Sequence, residues 1–242
     1  YLKTLADSMS FAYIKVYQIF TLTSKRNVIK MISHKHKCIF IHIPKAAGTS
    51  VEKFLRQVDP EIPSKVLRKR GFSKFFNDHL DYYVFSFVRN PYDRFVSAWK
   101  WGELQYRVHP DIEFYQKKRS VSFDEYVQLA VDDEYRMFNK DLWSEYDGYH
   151  TLPQFEFFPH LNGGHYFTDK IDSDFTCDFI GRFENLHEDF NKICSSIGIK
   201  ELKLPHAYNS KNFKEEFEWS DLSRDKIYNF YKKDFELFDY ES

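Results

Sequence analysis

The sequence predicts an α/β fold in which a mainly parallel central sheet is flanked by helices and carries a P-loop-like first turn. Three observations lead there. Residues 39–51 read IFIHIPKAAGTSV, an apolar run followed by Pro-Lys, two small residues, Gly and two hydroxyls, the pattern of a strand whose closing turn opens a helix. Residues 84–99 read VFSFVRNPYDRFVSAW, an aromatic and β-branched run that ends at Arg89, breaks at Asn90-Pro91 and becomes helical. Strand patterns continue to alternate with helical ones, which implies parallel strands with helices on both faces.

Taken in order, residues 1–36 are expected to form an N-terminal helical extension packed on a single domain over 37–242, since 242 residues suit one domain with a full core. Lys3, Asp7, Lys15 and Gln18 interrupt the apolar residues of 1–20, and no run of about 18 apolar residues occurs, so no transmembrane segment is predicted in this sequence. Residues 38–43 read as the first strand and 49–57 as the helix after the turn. Residues 59–80 read as an irregular or partly helical excursion before the strand at 84–88. Tyr92, Phe95, Val96 and Trp99 then recur at i, i+3, i+4 and i+7. Ser122 with Glu125 has capping-box spacing ahead of Tyr126, Val127, Leu129 and Ala130. A short strand at 179–181 precedes a helix from about 185 to 198. Ser220 starts a long C-terminal helix with Leu222, Ile227, Tyr231 and Phe238 on or near one face.

The first turn has the makings of an anion cradle: backbone N–H groups, a helix N-terminus and one lysine aimed at a single point. Many strand–turn–helix junctions with Gly and Thr bind nothing. This turn also departs from the Walker loop, G-x-x-x-x-G-K-[ST], because Gly48 is followed by Thr49 and Lys45 lies three residues before it. Arg89 falls at the C-terminal end of the second strand, where ligands collect in open α/β sheets. A kinase-like site wants an acidic residue there to hold magnesium, whereas an arginine suits a metal-free site that grips phosphate through paired N–H donors.

Together the two segments resemble the PAPS-dependent sulfotransferases (PAPS is 3′-phosphoadenosine 5′-phosphosulfate), nearest the family that includes Golgi carbohydrate sulfotransferases and their bacterial relatives. Pro44, Lys45, Gly48, Thr49 and Ser50 meet its P-K-x-x-G-T-[ST] signature, and Arg89, Pro91, Arg94 and Ser97 meet R-x-P-x-x-R-x-x-S. The likeness extends over roughly 36–240, through Leu152-Pro153-Gln154, the run from Asp178 to Leu186, Leu204-Pro205-His206 and the stretch from Tyr231 to Tyr240. It implies the sulfotransferase fold, PAPS as donor with PAP as product, no metal, and in-line transfer of a sulfonate to an acceptor hydroxyl. On that reading N–H groups from about Ala46, Ala47, Gly48 and Thr49 to Ser50 hold the 5′-phosphate, with the Thr49 and Ser50 hydroxyls adding donors. Lys45 sits beside the oxygen that bridges phosphate and sulfonate, where charge accumulates as the S–O bond breaks. Arg89 and Ser97 grip the 3′-phosphate. Ser210 and Lys211 reach the nucleotide from the loop at 204–211, where Tyr208 stands at a position the family often fills with Asn.

The general base is less plainly written. Family members carry a histidine about 20–25 residues before the arginine, and here that region, Ser64 to Lys69, holds neither His nor Glu. His79 is the nearest candidate, with Glu61, Asp78, His109, His160 and His165 behind it. His42, inside the first strand, reads as structural.

A carbohydrate acceptor is the leading expectation. The alternatives are a small hydroxylated metabolite, lipid or tyrosine, or a nucleotide-binding module that is kinase-like or catalytically silent. Phe155, Phe157, Phe158, Trp99 and Trp101 are candidates to line an acceptor cleft, against their ordinary use in packing. Balanced charge, 35 basic against 36 acidic residues, disfavours a nucleic-acid partner, and the basic clusters 68–70 and 117–119 read more readily as solvated faces. Cys38, Cys177 and Cys194 are odd in number and lack paired spacing, so they read as buried thiols and not as a disulfide framework or metal site. Together with the lack of an N-x-[ST] sequon, they favour a cytoplasmic, bacterial-type location. The Golgi lumen is the alternative if an upstream anchor has been trimmed. Oligomeric state is not written in the sequence.

Overall fold

The computed structural model describes residues 29–62, 78–108, 111–118, 120–143, 145–158, 177–200, 204–205 and 220–241. Its centre is a four-stranded sheet of order β1-β2-β3-β4, made of Ile29–Ser33, Cys38–Ile41, Tyr83–Val88 and Phe179–Arg182. β2, β3 and β4 run parallel, with Cys38 opposite Tyr83 and Phe85 opposite Phe179, and β1 lies antiparallel on the outer edge of β2.

The helices follow in chain order: α1 Gly48–Val58, α2 Pro91–Val108, α3 Glu113–Lys118, α4 Phe123–Val131, α5 Asp133–Phe138, α6 Glu145–Thr151, α7 Leu186–Ser196, α8 Asp221–Phe230 and α9 Lys232–Leu237. Short 3₁₀ turns at Gln154–Phe157 and Phe183–Asn185 connect them to the sheet. The central strands are apolar on both faces, which a parallel sheet sandwiched by helices requires. Phe40, Phe85 and Phe87 are almost wholly buried against Phe54, Phe157, Phe158 and Phe190. A second core gathers where α2, α4, α8 and α9 meet, around Phe95, Tyr126, Val127, Trp143, Ile227, Tyr231 and Phe235.

Several local expectations are met in detail. The Ser122 hydroxyl accepts the Glu125 N–H while the Glu125 carboxylate accepts the Ser122 N–H, a complete capping box on α4. Ser220 caps α8 by accepting the Ser223 N–H. Cys38 and Cys194 are buried thiols outside any disulfide, and Cys177 is partly buried.

Others are corrected. Ile29–Ser33, expected within the helical extension, is a strand that covers the edge of β2. Its register slips between Ile29 and Met31, and Met31, Ile32 and Ser33 are buried in succession, so no period-2 pattern marks it. Residues 1–28 lie outside the described set, as do most of the 59–80 excursion, the basic cluster 68–70, His109, His160, His165, Tyr208, Ser210 and Lys211. The C-terminal helix is divided at Tyr231, and Leu222, expected on its apolar face, is 62% exposed.

Candidate functional site

The site forms at the C-terminal ends of β2 and β3. After β2 the chain turns through Pro44, Lys45, Ala46 and Ala47 before α1 begins at Gly48. Lys45 (φ 68°) and Ala47 (φ 66°) are both left-handed, a conformation that costs an L-residue about 1–2 kcal/mol. Such alternation turns successive N–H groups toward one side and forms an anion-binding concavity.

The N–H of Ala46 donates to Ile43 O (3.4 Å) and that of Ser50 to Ala47 O (2.9 Å), so these two amides, expected on the ligand, are already engaged. Gly48 and Thr49 open the helix, where N–H groups have no intrahelical acceptor, and no side chain caps α1. Gly48 is required sterically: a Cβ there would lie 2.2 Å from His42 Nε2. The His42 ring braces the turn from below, its Nδ1 2.5 Å from Glu52 Oε1, which agrees with a structural role.

The parallel pairing of β2 with β3 sets Arg89 beside this turn, and its Nη1 donates to Lys45 O (3.4 Å). Asn90 ends the strand and caps α2, its Oδ1 accepting the N–H groups of Tyr92 (3.0 Å) and Asp93 (3.4 Å), with Pro91 as first helical residue. The Arg89 guanidinium stacks 4.2 Å from the Phe183 ring. Its backbone is clamped by Gln154, whose Oε1 accepts the Arg89 N–H (2.9 Å) and whose Nε2 donates to Arg89 O (2.8 Å). Gln154 is held in turn by buried Asp234, which accepts the N–H groups of Gln154 (2.7 Å) and Phe155 (2.9 Å).

Arg94 is wholly buried and ties the parts together: Nε donates to Pro44 O (3.0 Å) and Nη2 to His150 O (3.1 Å). Ser97 lies one turn further along α2 and is partly buried. Arg89 Nε and Arg94 Nη1 are buried with no hydrogen-bond partner. The Lys45 ammonium sits 4.4 Å from the centroid of Trp101. Burial first, then Arg89 and Arg94, lower its pKa to about 7. Among the described residues no ion pair reaches Lys45, Arg89 or Arg94. Asp93 and Glu184 act on Arg89, and Asp234 on Arg94, only through longer-range attraction, so three basic side chains and a helix N-terminus converge with partial compensation. Two orphaned guanidinium N–H groups beside that cradle fit a ligand with two separate anionic groups.

His79 is not brought to this site. It packs edge-on against Tyr82 (4.7 Å) and tilted against His34 (5.5 Å) at the N-terminal end of β3. Arg89 follows that strand and His79 precedes it, so they stand about 20 Å apart at roughly 3.3 Å per residue. Glu61 and Asp78 also fall outside the cradle's contacts. Phe155, Phe157 and Phe158 are core residues, and Trp99 packs on Phe123 (5.3 Å). Of the aromatic candidates, Trp101 alone touches the site among the described residues. Gln154, His150, Phe183 and Asp234 are not anticipated as site components; Gln154 stands only in the familial Leu152-Pro153-Gln154 run, and His150 carries no local sequence signal.

Residues 30–241 match the model of the sulfotransferase family. The chain belongs to that family. Sulfotransferase relatives include carbohydrate sulfotransferase 11 of Mus musculus, 24% identical over 254 residues that cover 87% of this chain and 66% of that protein. Its counterpart from Rattus norvegicus matches to the same extent. The chain thus spans just under two thirds of the length of these sulfotransferases. No solved structure matches. Among the described residues no helix is long and apolar enough to cross a membrane.

Proposed function

We propose that this chain is a PAPS-dependent O-sulfotransferase that acts on a carbohydrate hydroxyl. The observation that carries the reading is the junction of the two phosphate-binding segments, where Arg89 bonds to the carbonyl of Lys45 while Arg89 Nε and Arg94 Nη1 stay buried without acceptors. A 5′-phosphate suits the N–H groups of Gly48 and Thr49 with the Thr49 and Ser50 hydroxyls. A 3′-phosphate suits Arg89 and Ser97. The donor supplies an activated sulfonate, and the chain's own work is positioning and charge.

Lys45 is the residue placed to stabilise negative charge on the bridging oxygen. A preplaced ammonium there favours the transition state over the ground state. Ser210 and Lys211 belong to this reading as nucleotide contacts from the 204–211 loop. The carbohydrate acceptor rests on the names of the relatives and on Trp101 beside Lys45. Three cysteines outside any disulfide suit a reducing, cytoplasmic setting.

The test is thermal shift with PAP against ADP for the wild type and Arg89→Ala. Wild type should be stabilised more by PAP than by ADP, and Arg89→Ala should lose that preference. An equal response of the wild type to both nucleotides would overturn the reading.

A further inference from the structure

Resting on the sulfotransferase reading, we infer that His150 is the general base, and that the acceptor hydroxyl binds between its imidazole and the Lys45 ammonium, over Trp101. Trp101 is the link. Its ring carries the Lys45 ammonium at 4.4 Å, and the His150 ring lies 6.4 Å from it, centroid to centroid, at 37°. One indole therefore joins the transfer lysine to an imidazole.

The placement is fixed from behind. Buried Arg94 holds the Pro44 carbonyl with one nitrogen and the His150 carbonyl with another, so the cradle and the histidine hang from the same guanidinium. His150 is itself only partly buried, in the last turn of α6, with Tyr149 edge-on to it at 5.7 Å. The charged groups around this corner are Lys45, Arg89 and Arg94, with Asp93 and Glu184 acting on Arg89 and Asp234 on Arg94, and Asp147 on the same helix as His150. Among the described residues, His42 lies against Glu52 beneath Gly48, and His34 and His79 lie at the opposite end of the sheet. Histidine is the usual proton acceptor near neutral pH.

The step balances without a co-reactant. As the acceptor oxygen bonds to sulfur, its O–H bond breaks and the proton passes to a ring nitrogen of His150. The bond from sulfur to the bridging oxygen breaks, and its electron pair remains on the nucleotide phosphate beside Lys45. The imidazolium then returns its proton to solvent.

The experiment follows PAPS conversion to PAP with solvent water as acceptor, across pH 5 to 9, for wild type, His150→Ala and His150→Gln. Melting temperature and the PAP-induced shift are recorded in parallel. Both variants should turn over about 100-fold more slowly or worse. They should keep the PAP shift and lose the acidic limb of the pH–rate profile, and imidazole in the buffer should restore part of the His150→Ala rate. The inference is overturned if turnover stays within 3-fold of wild type with the acidic limb intact, or if both variants lose the PAP shift, which would make His150 a structural support. Failure of the wild type itself to bind PAP or to consume PAPS would instead strike the sulfotransferase reading beneath it.

Discussion

Lys45 shows how burial and neighbouring charge act on a single residue. Burial and two arginines hold its pKa near 7 in the free site, so at pH 8 the ammonium is mostly deprotonated. A bound nucleotide favours the charged form and raises that pKa. Binding PAP at pH 8 should therefore take up close to one proton, and affinity should fall as pH rises above 7. Calorimetry in two buffers of different ionisation enthalpy measures the uptake, and Lys45→Ala should abolish it; equal uptake in the variant would assign the proton to another group. Lys45 and Arg89 were legible in the sequence because each closes an apolar strand run. His150 was not, because a lone histidine in a short helix carries no periodic or spacing signal. It becomes visible only when Arg94, 56 positions away, bonds its carbonyl. His79 was drawn toward the site by closeness in sequence, although a residue ahead of a strand and one behind it must lie a strand length apart.

At the scale of elements, the site is a product of how β2, β3 and the two following helices begin. Each strand ends in a turn whose chemistry starts a helix: left-handed Lys45 and Ala47 before α1, and Asn90-Pro91 before α2. Gly48 is the tightest point. Gly48→Ala should cost roughly 1–3 kcal/mol in urea denaturation, the usual range for overpacking, because its Cβ would meet the His42 ring. Adding His42→Ala should recover part of that loss; a double variant no more stable than the single would place the strain elsewhere. Strand and helix boundaries near the site could be read to within a residue or two, since apolar runs, Asn-Pro and the capping box are local signals. The edge strand β1 and the division of the C-terminal helix at Tyr231 could not, because both depend on distant partners. β1 needs β2 as template. At Tyr231 the backbone leaves helical geometry (φ −101°, ψ 16°), and its hydroxyl donates to the Thr151 carbonyl 80 residues away.

Across the whole molecule, the site lies on the seam between two cores. Arg94 and Asp234 are wholly buried there, between the sheet core on one side and Phe95, Tyr231 and Phe235 on the other. Asp234 accepts two N–H groups from the Gln154 turn, and Gln154 clamps Arg89, so the last helix is coupled to the C-terminal end of β3 through three residues. Burial raises the Asp234 pKa to about 6 against opposition from those N–H groups and Arg94. The folded state then binds the proton more tightly than the unfolded chain, so Asp234's contribution to stability weakens as pH rises from about 4 to 6. Removing the side chain is worse than leaving it charged, because two buried N–H groups lose their acceptor at about 1–3 kcal/mol each. Asp234→Ala should therefore lower the melting temperature by roughly 4 °C or more, at about 2–4 °C per kcal/mol for a domain of this size. It should also uncouple the cores. In the wild type, far-ultraviolet circular dichroism and the fluorescence of Trp143 in the second core should report one transition. In Asp234→Ala the fluorescence change should come first, with the PAP-induced shift reduced. If the two probes stay coincident and PAP binding is untouched, the seam does not transmit between the C-terminal helix and Arg89.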